Sequence, residues 1–411
     1  MNISQTMKDE QLNLIKSGID SEFEVPLKSE PFWKALRETG TELWLDTGDV
    51  DEASGIWSTE MSALTTNNTL LNKEIQKGIY DDFIKDAGEL LLDLPVDERV
   101  VEIAFMLNAR HGLRLVKKFG AKVSVELHTN TAHDLEGILN YGMRYHHIDP
   151  DNFIIKVPYT PTGLLGAKKL KEQGVPINFT LEFSARQNAL VATIVKPDYL
   201  NVFLGRINGY VLSNDLGDGK YAGEKATIES QKIVHELTKD NAHRTRQIAA
   251  SMRSAKQLEY LTGIDVFTMP TNVAIEGIET LTGTFKSNID KNYEVRIRPE
   301  ISDTLIEKTW EVGEKEKDFI HYFKNHEPND ANDIINNAKE YGCADMFPDW
   351  TDEDLLIIQT DGKIPDHKKW AGKIKQGTVA PDTLLNMAGL LTFSLDQENM
   401  DNRVRKILTG S

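Results

Sequence analysis

A chain of 411 residues, 40% hydrophobic and 27% charged, has the composition of an ordinary soluble protein rather than a disordered or membrane-embedded one, and is long enough for one large domain or two to three average ones. It contains no run of 18 apolar residues, which excludes a simple membrane span. The formal net charge of -17 argues against broad electrostatic attraction to nucleic acid, but it is compatible with a local basic pocket for a small phosphate.

The N-terminal stretch MNISQTMKDEQLNLIKSG has neither an apolar signal core nor an arginine-rich amphipathic start, so a cytoplasmic location is expected. Residues 1–40 carry two helical patterns, MKDEQLNLIKSGI and EPFWKALRETG, which read as a helical cap beneath the main domain. The run ELWLDTGD ends in Asp46, and EMSALTTNNTLL ends in polar residues that include Asn67. A long helical region from Leu71 to Ala121, interrupted at Pro95, reads as an α-hairpin. The pattern then becomes regular: KVSVELH, FIIKVPYT, INFTLEFS, YLNVFLGR, QIAASM and DVFTMP, each followed by a helical stretch. With the first two runs this makes eight strands over residues 41–281, the number and length of a (β/α)8 barrel.

Beyond the barrel, residues 285–411 read as a mainly helical extension. Within it, the turn-rich segment 327–370 fits either a small helical insert or a lid. The lone cysteine, Cys343, excludes an intrachain disulfide and reads as a bystander. GDGKYAGEK, from Gly217 to Lys225, lacks phosphate-loop spacing and reads as a surface loop. His146 and His147 are adjacent on a helix end and cannot both face one metal, and His128 is isolated, so no metal site is expected.

One residue is out of place in this scheme. Lys156 lies within the continuous apolar run FIIKVP, where a charge must be neutralised, paired or used. Desolvation favours the neutral amine, which attacks carbonyls to form a Schiff base. The alternative is a lysine that only pairs with a neighbouring acid. The other strand ends contribute Asp46, Asn67, Glu126, Asn178, Thr180, Arg206, Ser251 and Arg253. Singly, each has an ordinary reading as a cap, turn residue, ion-pair partner or surface charge. Together they furnish one amine, two carboxylates, two guanidinium groups and small polar groups at the carboxyl ends of the strands, where barrel enzymes carry their chemistry.

The same segments resemble the transaldolase family over residues 41–281 and the last helix. LDTGD resembles that family's first-strand DTGD, ALTTNNTLL its TTNPSL, VELH its third-strand glutamate segment, and IIKVPYTPTG the signature around its Schiff-base lysine. INFTLEFS resembles NxTLLFS, NVFLGRI resembles SPFVGRI, AASMR resembles GASFR, and the final TFSLDQ resembles the closing FxxDQ. Asn68 and Thr69 replace the usual Pro-Ser, Asn201 stands where serine is common near the phosphate, and the C-terminal region is longer.

The resemblance implies a class I enzyme that needs no metal or organic cofactor. Lys156 would be the imine-forming residue, with Asp46, Glu126 and Thr180 moving protons. Asn67 and Asn178 would hold hydroxyls of the donor sugar, while Asn201, Arg206, Ser251 and Arg253 would stand at the phosphate. The implied partners are sugar phosphates, with a homo-oligomer as a further possibility and neither nucleic acid nor membrane. A related Schiff-base aldolase that acts on another sugar or releases free dihydroxyacetone, and a silent sugar-phosphate-binding barrel, are the competing expectations.

Overall fold

The computed structural model describes residues 4–19, 28–298 and 304–410. Helices α1 (Gln5–Lys16) and α2 (Pro31–Arg37) precede strand β1 (Glu42–Asp46), α3 (Val50–Ile56) and β2 (Met61–Thr65). Helices α4 (Asn68–Gln76), α5 (Asp81–Leu90) and α6 (Val96–Phe119) lead to β3 (Lys122–Glu126). The alternation continues with α7 (Leu135–Ile148), β4 (Phe153–Pro158), α8 (Pro161–Glu172), β5 (Ile177–Thr180), α9 (Ala185–Ile194) and β6 (Tyr199–Phe203). It ends with α10 (Leu204–Ser213), α11 (Ala222–Thr238), β7 (Arg246–Ala250), α12 (Lys256–Tyr260), β8 (Val266–Met269) and α13 (Thr271–Thr280). All eight strands run parallel and close in sequence order, with β1 paired to β8. This is the expected (β/α)8 barrel.

The hairpin expected between Leu71 and Ala121 is instead three helices. Gly78, at φ 80°, turns the chain between α4 and α5 in a backbone region that side chains disfavour, and Pro95 precedes α6. The segment from Gly217 to Lys225 is a loop only in its first part. Ala222, Gly223 and Glu224 open α11 and are buried, with Glu224 accepting hydrogen bonds from Asn208 and Gln257.

Period-two alternation sets what fills the barrel. On β1, Glu42, Trp44 and Asp46 share a face. Near the strand starts, Glu42 pairs with Arg246 of β7 and accepts from the Trp44 indole at 2.8 Å. Above them Trp44 packs edge-on against Tyr199, with ring centroids 4.6 Å apart. These residues plug the lower barrel, so anything entering from the carboxyl ends stops at the layer that contains Asp46.

Helix α1 lies along the outer helices: Gln11 donates to Glu102 of α6 at 2.8 Å, and Arg110 donates to the Ile15 carbonyl. The extension is helical, with α14 (Glu314–Asn325), α15 (Ala331–Glu340), α16 (Asp352–Asp361), α17 (His367–Lys375) and the 29-residue α18 (Pro381–Thr409). Residues 299–303 of this expected extension lie outside the described residues. Segment 327–370 carries α15, α16 and the start of α17.

The extension is fastened to the barrel by buried charge. Arg186 of α9 donates to both oxygens of Asp382 at 2.8 and 2.7 Å and to Asp345 at 2.8 Å, and Lys308 joins Asp345 at 2.6 Å. Tyr159, just past β4, stacks on Phe347. Burial alone would raise the Asp345 carboxyl, but Arg186 and Lys308 hold it below its ordinary value.

Removing the guanidinium would leave Asp382 without its bidentate partner inside the protein. Arg186→Ala is therefore expected to cost about 3–5 kcal/mol in chemical denaturation. Because Asp345 is depressed when folded, its contribution is complete above its unfolded value of 3.8 and is lost as pH falls through the lower folded value. A stability profile of wild type should show that acid loss, and Arg186→Ala should flatten it.

Candidate active site

Lys156 is the fourth residue of β4, a strand buried along its whole length. The next turn, from strand to helix, is tight. Thr160 caps α8 by accepting from the Gly163 amide at 2.8 Å, and a Cβ at Gly163 would lie 2.2 Å from the Pro158 carbonyl oxygen. Glycine there lets α8 close over the strand end.

Register puts Lys156 opposite Glu126 on β3 and Asn178 on β5, so three polar side chains form one row across adjacent strands. The Lys156 Nζ lies 3.9 Å from Glu126 Oε1 and 3.4 Å from the Thr66 carbonyl, and 5.8 Å from the centre of the Phe393 ring. Two residues further up β5, Thr180 presents a buried hydroxyl that has no hydrogen-bond partner. Asn178 donates to Ser124 Oγ at 2.9 Å and accepts from Asn201 at 2.7 Å, which locks both amides in place.

The carboxylates are held separately. Asp46 accepts from Thr65 at 2.8 Å, and the Thr65 and Thr268 hydroxyls lie 2.6 Å apart. Burial pushes the Asp46 carboxyl above its ordinary value, outweighing the pull of Lys156 and the Thr65 bond. Glu126 is raised by the same cause, against the pull of Lys156 and a backbone bond. That bond comes from the Asn68 amide at 3.0 Å. Asn68 stands where the resembling motif has proline, which has no N–H to give. Desolvation wins at both acids, so each holds its proton more firmly than a carboxyl in water.

The outer end of the site is cationic. Arg206 in the first turn of α10 is buried with Nη1 unpartnered, and its guanidinium lies 5.6 Å from the ring centres of both Phe203 and Phe393. Burial and the neighbouring Arg253 bring it down to about 10, so it stays charged at neutral pH. Ser251 sits at φ 63°, a strained backbone region for serine, with its hydroxyl buried and unpartnered. Helix α10 has no side-chain cap at its start. A Cβ at Gly205 would lie 2.0 Å from the Ser251 carbonyl oxygen and 2.8 Å from Arg253 Cγ. Glycine at 205 is what lets the β6 and β7 loops meet.

A cavity of about 180 Å³ joins these groups, walled by Asp46, Asn67, Lys156, Asn201, Arg206, Ser251 and Arg253. Glu126, Asn178 and Thr180 flank Lys156 in the buried strand ends. All ten expected positions therefore converge on one barrel mouth. Asn67 also caps α4 by accepting from the Leu70 amide at 2.9 Å. A larger cleft, about 740 Å³, lies among α8, α9, α11 and α14, remote from the strand ends.

Sequence reading missed Thr65 and Thr268, which orient Asp46, as well as Phe203, Phe393 and Lys363, which also line the cavity. Phe393 and Asp396 were visible as the first and fourth positions of FSLD. Asp396 accepts from the Thr69 hydroxyl, tying α18 to the first turn of α4. Lys363 had no sequence signal.

Comparison with known proteins gives the family. Residues 43–325 match the family model described as transaldolase/fructose-6-phosphate aldolase. A probable transaldolase of Thermus thermophilus is 32% identical over 234 residues, 56% of this chain and 86% of that protein. A transaldolase of Xanthomonas euvesicatoria pv. vesicatoria is 26% identical over 54% of this chain and 71% of its own length. A probable transaldolase of Dictyostelium discoideum is 25% identical over 69% and 89%, respectively.

Since the atom facing Gly205 is backbone, the chain cannot absorb a methyl group there by turning a side chain. Gly205→Ala is expected to lower stability by about 1–3 kcal/mol and to displace Ser251 from Arg206. Denaturant titration, together with a crystal structure of the variant, would check both effects.

Proposed function

The chain belongs to the transaldolase/fructose-6-phosphate aldolase family, and from that footing we propose that it is a transaldolase moving a dihydroxyacetone unit from a ketose phosphate to an aldose phosphate through an imine on Lys156. The observation that carries this reading is the row Glu126, Lys156, Asn178 in one buried layer of the barrel, with Asp46 on the wall of the same cavity.

The unprotonated Lys156 amine adds to the ketone carbon of the donor, fructose 6-phosphate or sedoheptulose 7-phosphate. The carbinolamine loses water, with Glu126 and the Thr180 hydroxyl passing protons, to give an iminium. Asp46 takes the proton of the C4 hydroxyl, the C3–C4 bond breaks, and its electron pair moves into the iminium to form an enamine. An aldose phosphate leaves. The enamine then adds to the carbonyl of an acceptor, erythrose 4-phosphate or glyceraldehyde 3-phosphate, and hydrolysis of the new imine frees the lysine. The iminium is the electron sink, so neither metal nor organic cofactor enters the scheme. Raised carboxyls suit both roles, because burial makes each a stronger base than a carboxylate in water.

Arg206, Arg253 and Ser251 would hold the phosphate, and Asn67 with Asn178 the donor hydroxyls. The place in metabolism that fits such substrates is the pentose phosphate pathway, in the cytoplasm. Among the described residues, no helix is long and apolar enough to cross a membrane.

Transfer is tested against simple cleavage by following aldose phosphate release with and without acceptor. A transaldolase turns over slowly without acceptor and rapidly with it; equal release of free dihydroxyacetone in both cases would make the protein an aldolase. Asp46 must be ionised to act, so kcat/KM should fall as pH drops through an apparent pKa above the ordinary aspartate value of 3.8, and Asp46→Asn should abolish this limb along with most activity. Arg253→Ala should raise KM for phosphorylated donors about tenfold or more while leaving imine formation with free dihydroxyacetone much less affected. Equal losses for the two donors would mark Arg253 as structural.

A further inference from the structure

The cavity lined by Arg206, Ser251 and Arg253 is also lined by two residues of the extension, Phe393 and Lys363. Lys363 lies in the turn between α16 and α17 and lines the same cavity as Arg206 and Arg253, although it is outside the residues matched to the family model. The turn is fixed rather than loose. Gly362 at φ 74° reverses the chain, and Asp361 accepts from the Asp366 amide at 3.0 Å and pairs with Lys369. Asn214 donates to the Pro365 carbonyl at 3.0 Å and accepts from the His367 amide at 2.8 Å, while the Tyr210 hydroxyl meets His367 Nδ1 at 2.7 Å. Both partners belong to the far end of α10, whose first turn carries Arg206. The helix that presents the buried guanidinium therefore also positions the turn that presents the ammonium.

We propose that Lys363 is a third cationic ligand for the substrate's phosphate, so that the C-terminal extension completes and sharpens a phosphate subsite that the barrel alone leaves open; this rests on reading the site as one for sugar phosphates. Among the described residues, none of the head groups of Arg206, Arg253 and Lys363 has an ion-pair partner. Burial, then repulsion from Arg206 and Arg253, lowers the Lys363 ammonium below its ordinary value, with Asp396 opposing the shift and Lys73 adding to it. Cations facing one cavity, whose nearby carboxylates are already engaged, Asp46 by Thr65 and Asp396 by Thr69, repel one another until an anion arrives. A dianionic phosphate turns that repulsion into attraction, and a point charge on a flexible stem accommodates donors and acceptors of different length.

Binding of inorganic phosphate, measured by titration calorimetry, and KM for fructose 6-phosphate test this on wild type, Lys363→Ala, Lys363→Arg and the control Lys368→Ala. Lys368, like Lys363, is exposed on this segment, but it does not line the cavity. Lys363→Ala is expected to weaken phosphate binding and raise KM by about three- to tenfold, a discounted value because the side chain is partly solvated, with kcat changed far less. Lys363→Arg should recover most of the loss, and Lys368→Ala should match wild type. Equal phosphate binding by wild type and Lys363→Ala, or no phosphate binding by wild type, overturns the inference. If Lys363→Ala weakens phosphate binding while no sugar phosphate is transferred by wild type, the inference stands and the transferase reading falls.

Discussion

The structure depends on holding an amine and two carboxyl groups in one dehydrated layer of a closed barrel. Dehydration is costly for each group separately, and the barrel contains the cost by placing them within reach of one another. Glu126 faces Lys156 across neighbouring strands, while Asp46 is oriented by the Thr65 and Thr268 hydroxyls. Beneath them Trp44, Tyr199 and the Glu42–Arg246 pair plug the barrel, so this layer is the floor of the cavity. Even with Lys156 beside them, both acids remain raised. Desolvation therefore exceeds the attraction between the opposite charges, which is the condition that proton-shuttling groups need and that a purely structural ion pair would avoid.

The extension makes a second use of buried charge. Arg186, Asp382, Asp345 and Lys308 form a cluster in which each charge has a close partner, and it anchors the helices that reach over the barrel mouth. Helix α18 brings Phe393 against the amine and Arg206, and Asn386 donates to the Leu181 carbonyl just beyond β5 at 2.8 Å. One cluster holds opposite charges together for fastening. The other end of the site gathers like charges with none nearby to neutralise them fully, which suits a site that takes an anion.

Much of this was legible in the sequence because strand burial has a period of two and barrels place chemistry at strand ends. The apolar run around Lys156, and the polar residue closing each of its neighbours, located the strands and the converging side chains together. Asn67 was legible as a strand-end residue, while its capping of α4 follows only from the fold. The break at Gly78 was not, because a single glycine within a helical pattern signals a turn only once tertiary packing shows which way the chain leaves. The buried start of α11 was hidden for a related reason: GDGKYAGEK is polar, and the partners that bury Glu224, Asn208 and Gln257, are remote from it in sequence. Lys363 has no local pattern at all, since its position is fixed by bonds from its flanking residues to α10.

The central claim, that the buried amine of Lys156 is the covalent centre, is most directly tested by borohydride reduction in the presence of fructose 6-phosphate followed by peptide mass analysis. The account predicts a stable three-carbon adduct on the peptide containing FIIKVPYTPTG, located at Lys156, and no adduct on any lysine of Lys156→Arg. Full transfer activity from a wild-type preparation whose Lys156 stays unmodified after reduction, or an adduct that persists in Lys156→Arg, would contradict it.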